Sequence, residues 1–249
     1  MLKGLFSAAS GMRALEMYTD TAANNLANVN TAGFKRSNVQ FMPFAEVMIN
    51  RLHHDDQQGV GAYASGTVVP GTPVDHRQGA MVATGNVLDV AISGDGFYQI
   101  QTDEGQTGYT RNGTFTLNAL NQLSTHDGHL LLANGEPITI PSRSAKIEIK
   151  PNGTVYADAQ PVGQITLVGI EDKATLLPAG ENMFFATEDT TFTSVDGVLQ
   201  QGYIERSNVN VIEELINNIK GQRMYESLKT SITTQDQTLA KAMEMGQVR

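Results

Sequence analysis

The first hydrophobic pattern along the chain is a helical one at its N-terminal end. The apolar and small residues of this end recur at alternating intervals of three and four: Leu5, Ala8, Met12, Leu15, Thr19, Ala22, Leu26 and Val29. This spacing places them on one stripe of a helix, as in the heptads of a coiled coil. The pattern predicts a helix over residues 3–29, about 40 Å long at 1.5 Å per residue.

The C-terminal end repeats this pattern. Its apolar residues are expected on one helical face: Ile212, Leu215, Ile219, Tyr225, Leu228, Ile232, Leu239 and Met243. Asn210 with Glu213 three residues later is typical of a capping box at a helix start. All eight prolines lie between Pro43 and Pro178, so both ends are free of the residue that breaks helices.

The middle of the chain has a β pattern instead. Glycine-containing turn signals recur at Gly94-Asp95-Gly96, Glu104-Gly105, Asn112-Gly113, Asp127-Gly128, Asn134-Gly135 and Asn152-Gly153. Short apolar or alternating runs separate them, for example residues 87–92, 97–100 and 146–150. This alternation of strands and tight turns predicts an all-β sandwich or barrel. Residues 41–70 fit neither pattern and are interpreted as an extended arm or loop.

We therefore predict an α+β fold in which both chain termini form a coiled-coil-like inner helical domain beside an outer all-β domain. The predicted boundaries are residues 1–40 with 205–249 for the helical domain, 41–70 for the arm and 71–204 for the β-domain. Each terminal helix has an apolar stripe that needs a partner. A simpler alternative is one α+β domain whose end helices pack on the β core.

Composition narrows the functional classes. The formal net charge is −9 and charged residues make up 17% of the chain, which argues against nucleic acid or an anionic membrane surface as partner. The chain has no cysteine, so disulfides, thiolate metal sites and thiol nucleophiles are excluded. No apolar run reaches the ~18 residues of a membrane span. The apolar start is broken at Ser7 and is interpreted as mature chain without a cleaved signal peptide.

Candidate chemical sites are weak. The run from His126 to His129 fits a hairpin with Asp-Gly at its turn better than a metal site, and the run from His53 to Asp56 fits a solvated loop. Ser93-Gly94-Asp95-Gly96 lacks the lysine and helix start of a phosphate loop. We predict no catalytic residue, no metal and no cofactor, so the chain is not expected to be an enzyme.

The segment from Ala22 to Arg36 is the most informative one. Asn24, Asn25, Asn28 and Asn30 are four asparagines within seven positions, and asparagine disfavours helix interiors because its side chain competes for backbone groups. Gly33 could supply a helix stop, which would explain the later asparagines but not Asn24 and Asn25. Buried amides can fix the register between packed helices.

This segment, read from Asn24 to Arg36, resembles the N-terminal signature of flagellar basal-body rod and hook proteins. A second resemblance lies at the C-terminal end, in residues 207–210, 213–214, 222–226 and 233–236. In the middle, residues 88–92, 94–97 and 109–113 look like the β-domain shared by the F and G rod proteins and the hook. The three matches occur in the family's order and cover nearly the whole chain.

The resemblance implies a structural subunit of the flagellar rod. It implies head-to-tail polymerisation into a hollow axial tube, with copies of itself and other rod or hook proteins as partners. It also implies a place in the basal body within the cell envelope and periplasmic space. Export by the flagellar apparatus without a cleaved signal peptide and without membrane insertion would follow. The F and G types stay open, because residues 44–69 are short for a G protein and Ser227-Leu228 stands where many members have asparagine.

Two rival functions remain from the residues alone. One is a secreted β-type domain that binds glycan or peptidoglycan and oligomerises through its terminal helices into a closed dimer or trimer. The weaker one is a hydrolase with an unusual site. A pocket of convergent carboxylates would support the hydrolase, and a ligand-sized cleft would support the binding domain.

The predicted assembly interface comprises residues from both ends: Leu5, Met12, Leu15, Ala22, Asn24, Asn25, Leu26, Asn28, Val29, Gly33, Phe34, Ile212, Leu215, Ile219, Gln222, Tyr225, Leu228, Ile232 and Leu239. Long helices need packing partners in water. We therefore expect residues 1–40 and 205–249 to be poorly ordered in the free subunit and to fold on assembly.

Overall fold

The computed structural model of the chain describes residues 2–44, 46–53, 56–64, 66–141, 146–195 and 197–246. It divides into two compact units. The helical unit comprises Met1–Ala27, Ser37–Val74 and Asn210–Arg249, and the β unit comprises Asn28–Arg36 and Asp75–Val209. The predicted α+β fold class is confirmed.

The unit boundaries differ from the predicted domain boundaries. Residues 28–36 and 205–209 were predicted to belong with the terminal helices, but both segments lie in the β unit. The segment 37–74, which contains the whole predicted arm, belongs to the helical unit. The division into an assembly domain, an arm and an outer domain is a functional one and stays a prediction.

Two helices make up most of the helical unit, α1 (Leu2–Ala27) and α2 (Val211–Gly246). The predicted N-cap of α2 is confirmed, since Asn210 Oδ1 accepts hydrogen bonds from the amides of Ile212, at 3.0 Å, and Glu213, at 3.4 Å. Glu213 and Glu214 place carboxylates in the first turn, where the helix dipole favours them. Neither described helix has the length and apolar character needed to cross a membrane.

The described part of the helical unit also has four strands: β1 (Met42–Pro43), β2 (Glu46–His53), β3 (Asp56–Ala64) and β4 (Thr67–Val68). Strand β1 pairs with β4, and β2 pairs with β3 in an antiparallel ladder from Glu46↔Ala64 to His53↔Asp56. The backbone expected as an extended arm or loop is therefore largely a paired hairpin. The weighed metal site between His53 and Asp56 lies outside the residues whose side chains are described.

The described residues of the β unit form seventeen strands and one short 3-10 helix, Lys173–Thr175. The strands are β5 (Met81–Ala83), β6 (Val90–Ser93), β7 (Phe97–Gln101), β8 (Thr107–Thr110), β9 (Phe115–Leu117), β10 (Leu123–Thr125), β11 (Leu130–Ala133), β12 (Glu136–Pro137), β13 (Ile147–Ile149), β14 (Thr154–Ala157), β15 (Gln160–Gln164), β16 (Leu167–Ile170), β17 (Leu176–Gly180), β18 (Met183–Ala186), β19 (Phe192–Ser194), β20 (Val198–Gln201) and β21 (Tyr203–Glu205).

The largest sheet has ten strands and is built on the order β17-β18-β8-β7-β11-β10-β9. Strand β12 adds to β11, and β16 joins β7 to β19. A second sheet has the order β13-β14-β15, and two ladders pair β20 with β6 and β21 with β5. All six predicted turn signals lie between consecutive strands from β6 to β14, so the sequence located these turns correctly.

The apolar core of the β unit lies on the inner faces of these strands. Tyr98 and Phe115 stack edge to face with ring centroids 5.1 Å apart. The Tyr98 hydroxyl donates to the carbonyl oxygen of Val90 at 2.6 Å, so this fully buried phenol has a partner. Gly113 is required beside them, because a Cβ at this position would lie 1.8 Å from the same Val90 oxygen.

A buried ion pair joins the start and the end of the β unit. Lys35 Nζ donates to Glu205 Oε1 at 2.6 Å, and both side chains are 1% exposed. The Glu205 carboxylate also accepts from the amide of Gly79 at 2.9 Å, and Arg111 Nε lies 3.8 Å from its Oε2. Burial lowers the pKa of Lys35, while the neighbouring Glu205 carboxylate opposes this shift. The pair holds residues 33–36 against strand β21.

We predict that Glu205→Gln strongly destabilises the β unit. Breaking a buried ion pair by removing one partner costs about 3–5 kcal/mol, because the remaining charges stay buried without compensation. The free energy of unfolding is measured by urea titration followed through the near-ultraviolet circular dichroism of the tyrosines. Glu148→Gln, which removes a surface partner of Lys150, is the matched control and is expected to change little. Equal stability of the two variants contradicts the prediction.

His76 is a half-buried titratable group of the β unit. Its ring lies 5.8 Å from the Phe97 ring and 5.3 Å from the Phe184 ring, between centroids. Burial, with a smaller contribution from the positive charge of Lys35, lowers the pKa of His76 from 6.5 to about 4. Between pH 6.5 and about 4, the His76 ring therefore binds a proton in the unfolded chain but stays neutral in the folded one.

This depressed pKa predicts an acid-dependent loss of stability. Above pH 6.5 the histidine is neutral in both states, whereas between pH 6.5 and about 4 only the unfolded chain binds the proton. The free energy of unfolding should thus fall across this window more steeply in the wild type than in His76→Gln. Urea titrations at pH 7 and pH 5 measure the difference. The exposed His126→Gln is the control and should keep the wild-type slope.

Candidate assembly interface

The two terminal helices pack against each other as an antiparallel pair in close contact. A Cβ placed on Gly4 would meet Gln235 Nε2 at 3.0 Å, and one on Gly11 would meet Leu228 Cδ1 at 3.1 Å. About two helical turns further along α1, a Cβ on Gly221 would lie 2.6 Å from Thr19 Cγ2. Contacts thus advance by seven or eight residues along α1 while they retreat by seven along α2. At each level a glycine faces a larger side chain.

The contact face of α1 is turned slightly from the predicted seam. Of the predicted seam residues, Ala8, Leu15 and Ala22 are buried as expected. Leu5, Met12, Thr19 and Leu26 are only half-buried. At the first three of these levels the preceding residue, Gly4, Gly11 or Tyr18, also faces α2. The sequence analysis missed these glycines because a hydrophobic pattern does not register a residue without a side chain.

The apolar residues of α2 lie on two opposite faces, so the prediction of a single face was wrong. Leu228, Ile232 and Leu239 lie toward α1 and are half-buried. Ile212, Leu215 and Ile219 are 70%, 45% and 53% exposed. Ile216, which the sequence analysis did not select, joins them at 46% exposure. At about 100° per residue these four side chains point about 170° away from the face on α1. We call them the α2 ridge.

Two asparagines of the segment from Ala22 to Arg36, Asn25 and Asn28, make side-chain hydrogen bonds within the chain. Asn25 is 1% exposed, and its side chain donates to the carbonyl oxygen of Ser37 at 2.8 Å and accepts from the Ser37 amide at 3.0 Å. This amide pairs with a returning backbone segment of the helical unit. Asn28 accepts a hydrogen bond from the Thr31 hydroxyl at 3.1 Å in the turn after α1. Asn24 is exposed on α1.

Gly33 does not end helix α1, which stops six residues earlier at Ala27. Its φ is +69°, and a Cβ would lie 2.5 Å from the carbonyl carbon of Arg111 and the nitrogen of Asn112. Its amide donates to the Glu205 carbonyl oxygen at 2.7 Å. Gly33 is therefore needed for close backbone packing inside the β unit.

The predicted interface residues thus fall into three groups by exposure. Those exposed are Asn24, Ile212, Leu215, Ile219, Gln222 and Tyr225. Those half-buried are Leu5, Met12, Leu26, Asn28, Val29, Phe34, Leu228, Ile232 and Leu239. Those buried within the chain are Leu15, Ala22, Asn25 and Gly33. Three residues of the first group, Ile212, Leu215 and Ile219, belong to the α2 ridge.

The candidate metal site at His126 and His129 is instead part of the β10–β11 hairpin, as its turn and its contacts indicate. The Thr125 amide donates to the His129 carbonyl oxygen at 2.8 Å, and Gly128 has φ +100°. His129 Nε2 lies 2.7 Å from Glu181 Oε2. Within the described ranges, no group of three or more His, Asp or Glu side chains is placed to hold a metal ion.

Three family profiles match the chain in order. Residues 5–35 match the family described as flagella basal body rod protein, and residues 91–157 match the flagellar hook protein FlgE/F/G D1 domain. Residues 200–245 match the C-terminal domain described as flagellar basal body rod FlgEFG protein. The flagellar basal-body rod protein FlgG of Buchnera aphidicola (subspecies Baizongia pistaciae) is 36% identical, with 97% of this chain and 98% of the relative aligned. The chain belongs to the flagellar basal-body rod protein family.

Further members of this family are similar over nearly their whole length. FlgG of Bacillus subtilis is 33% identical over 98% of this chain and 99% of its own. FlgF of Caulobacter vibrioides is 33% identical over 92% of this chain and 91% of its own. The family resemblance inferred from the sequence is thereby confirmed. Membership of a family of structural rod proteins also agrees with the expectation that the chain is not an enzyme.

The family profiles at the two ends contain the helix pair. The profile over residues 5–35 includes most of α1 and the asparagine segment, and the profile over residues 200–245 includes all of α2 except Gly246. The α2 ridge therefore lies inside a segment that the rod family shares. The third profile falls within the β unit.

We predict that Gly221→Ala loosens the helix pair. In an open helix interior this change raises helix stability by about 1 kcal/mol. Here the new methyl group would meet Thr19 Cγ2 at 2.6 Å and Tyr18 Cδ1 at 3.1 Å, so the helices must separate. The thermal midpoint of the helical signal, followed at 222 nm as is usual for helices, should fall. Gly246→Ala, in the same helix with open space around it, is the control and should not lower it.

Proposed function

We propose that the chain is a structural subunit of the bacterial flagellar basal-body rod that polymerises head to tail into a hollow axial tube through its two terminal helices. The observation that carries this proposal is the exposed α2 ridge within a family of rod proteins. Four large aliphatic side chains in contact with water along one helix face are costly unless another protein covers them. A structural protein that assembles needs such a surface.

The helix pair has the energetic character expected of an assembly element. Along α2 only Glu214 and Gly221 are buried, so the 36-residue helix gains little from contacts within the chain. A helix in water depends mainly on tertiary packing for its stability. The two tails are each other's partner in the chain, yet most of the α2 surface stays available. This supports the prediction that the tails order fully only when neighbouring subunits cover them.

Partners and location follow from the same proposal. The subunit assembles with copies of itself and with other axial proteins of the rod and hook, in the basal body within the cell envelope and periplasmic space. We propose that it reaches that place through the flagellar export apparatus. The cysteine-free composition suits passage between compartments of different redox state.

The test replaces one exposed ridge residue. Leu215→Asp is expected to abolish incorporation into the basal body, because a carboxylate would be buried at the subunit contact. The fold should persist, since Leu215 is 45% exposed. Incorporation is measured by immunoblotting purified basal bodies, and motility by swimming in soft agar, in cells that lack the native copy.

Leu120→Asp is the matched control for this test. Leu120 is 70% exposed in the β unit and lies in the turn between β9 and β10. We expect its charge to leave incorporation intact. Normal incorporation of Leu215→Asp, or a wild-type chain that forms only closed dimers or trimers in ultracentrifugation, would overturn the proposed function in favour of the oligomeric binding domain.

A further inference from the structure

The helical unit has a second apolar surface besides the ridge. It is a groove of about 470 Å³ between α1 and α2, beside Phe41. Its apolar lining comprises Ala14, Leu15, Tyr18, Phe41, Met224 and Leu228. A cavity of about 150 Å³ lined by apolar side chains already holds a benzene ring, so this groove has room for several aliphatic side chains. We call it the α1–α2 groove.

The groove exists because of the residues at its base. Gly11 also lines it and carries no side chain, and Ala14 carries only a methyl group. Tyr18 and Phe41 stand at one side with ring centroids 5.8 Å apart, and Met224 is 57% exposed at the other. Methionine is flexible and adapts to the shape of a partner. Small residues below and large adaptable ones at the sides make a surface that accepts protruding side chains.

Ridge and groove point in different directions from the same helix. On α2 the groove residues are Lys220, Met224 and Leu228, and the ridge residues are Ile212, Leu215, Ile216 and Ile219. At about 100° per residue their mean directions differ by about 130°. A ridge cannot reach the groove of its own helix pair. Each chain thus has one protruding and one concave apolar surface, and both need an external partner.

We propose that the α2 ridge of one copy docks into the α1–α2 groove of the next copy. This inference rests on the proposed rod function and names the two surfaces that would meet. A second copy is the occupant we favour because the same chain carries both complementary shapes. A contact between unlike surfaces leaves one free ridge and one free groove at the ends, so further copies can add without limit.

The positions along α2 favour an open polymer over a closed ring. The ridge is centred near residue 216 and the groove near residue 224. At 1.5 Å per residue these centres are about 12 Å apart along the helix axis. Parallel copies joined in this way are displaced along the axis at every contact. A rotation combined with such a displacement gives a helical array. A ridge-to-ridge contact would instead give a closed dimer and leave both grooves empty.

The absence of cysteine allows a direct test in the full-length protein. Ile216→Cys places a thiol on the ridge, and Met224→Cys places one in the groove. Two cysteines form a disulfide only when their Cα atoms come within about 7 Å. Both variants are produced together, with distinguishable epitope tags, in cells that lack the native copy. Basal bodies are then treated with a mild oxidant and analysed by non-reducing electrophoresis.

We expect a disulfide-linked dimer that carries both tags. Its yield should be at least tenfold higher than the yield of disulfide-linked homodimers from either variant alone. Glu16→Cys supplies the control, because Glu16 is exposed on the side of α1 away from the groove. The pair of Ile216→Cys with Glu16→Cys should give no such product. Equal cross-linking of Ile216→Cys with itself would show a ridge-to-ridge contact and overturn the proposal. So would equal yields from the control pair or no mixed product.

A second measurement separates this inference from the proposed function. Ile216→Asp blocks the ridge and Met224→Asp blocks the groove, and both positions are exposed enough to leave the chain folded. Each variant alone should stay monomeric in ultracentrifugation. Mixed in equal amounts, they still share one intact ridge and one intact groove and should form heterodimers that do not grow. Incorporation of wild-type protein into basal bodies without these heterodimers would refute the ridge-and-groove contact alone. Failure of the wild type to incorporate would refute the rod function itself.

Discussion

The buried contact between Lys35 and Glu205 is the interaction on which the arrangement of this chain depends. The two residues are separated by most of the sequence, yet their side chains meet at 2.6 Å inside the β unit. Arg36 and Asn208 continue this contact, since the Arg36 amide donates to Asn208 Oδ1 at 2.8 Å. The segments that lead from α1 and into α2 are thereby held together. A desolvated ion pair is sensitive to geometry, so it favours this one pairing over others.

The helix pair depends on a different constraint, which is the close approach of the α1 and α2 backbones. Gly4, Gly11 and Gly221 let the helices meet at levels where the opposite residue is large. The contact is narrow, and it leaves one apolar stripe of α2 facing away from α1. A broader contact would stabilise the free subunit, but it would remove the surface through which copies can associate. Small residues at the contact and an exposed apolar ridge on the opposite face of α2 thus occur together in this helix pair.

Much of the fold could be predicted from local patterns. The turn signals from Gly94 to Gly153 located the strand boundaries, because positive φ angles and tight turns are local properties of glycine and asparagine. Asn210 located the start of α2 for the same reason. The hairpin of β2 and β3 was not predicted, since the sequence of β2 does not alternate strictly between apolar and polar residues and β3 contains two glycines. The rotation of the seam toward Gly4 and Gly11 was missed, because contacts made by backbone leave no hydrophobic signal.

The sequence alone determined the two terminal helices, the β middle and the family, because each depends on local spacing or on a contiguous motif. Tertiary structure alone decided which of the two apolar faces of α2 packs against α1 and which stays exposed as the ridge. It also decided that Asn25 pairs with the Ser37 backbone and that Lys35 is a buried cation. These roles depend on which distant residues come together in space. A stripe of isoleucine and leucine has the same spacing whether it faces its own chain or another, so only the packed structure distinguishes the two.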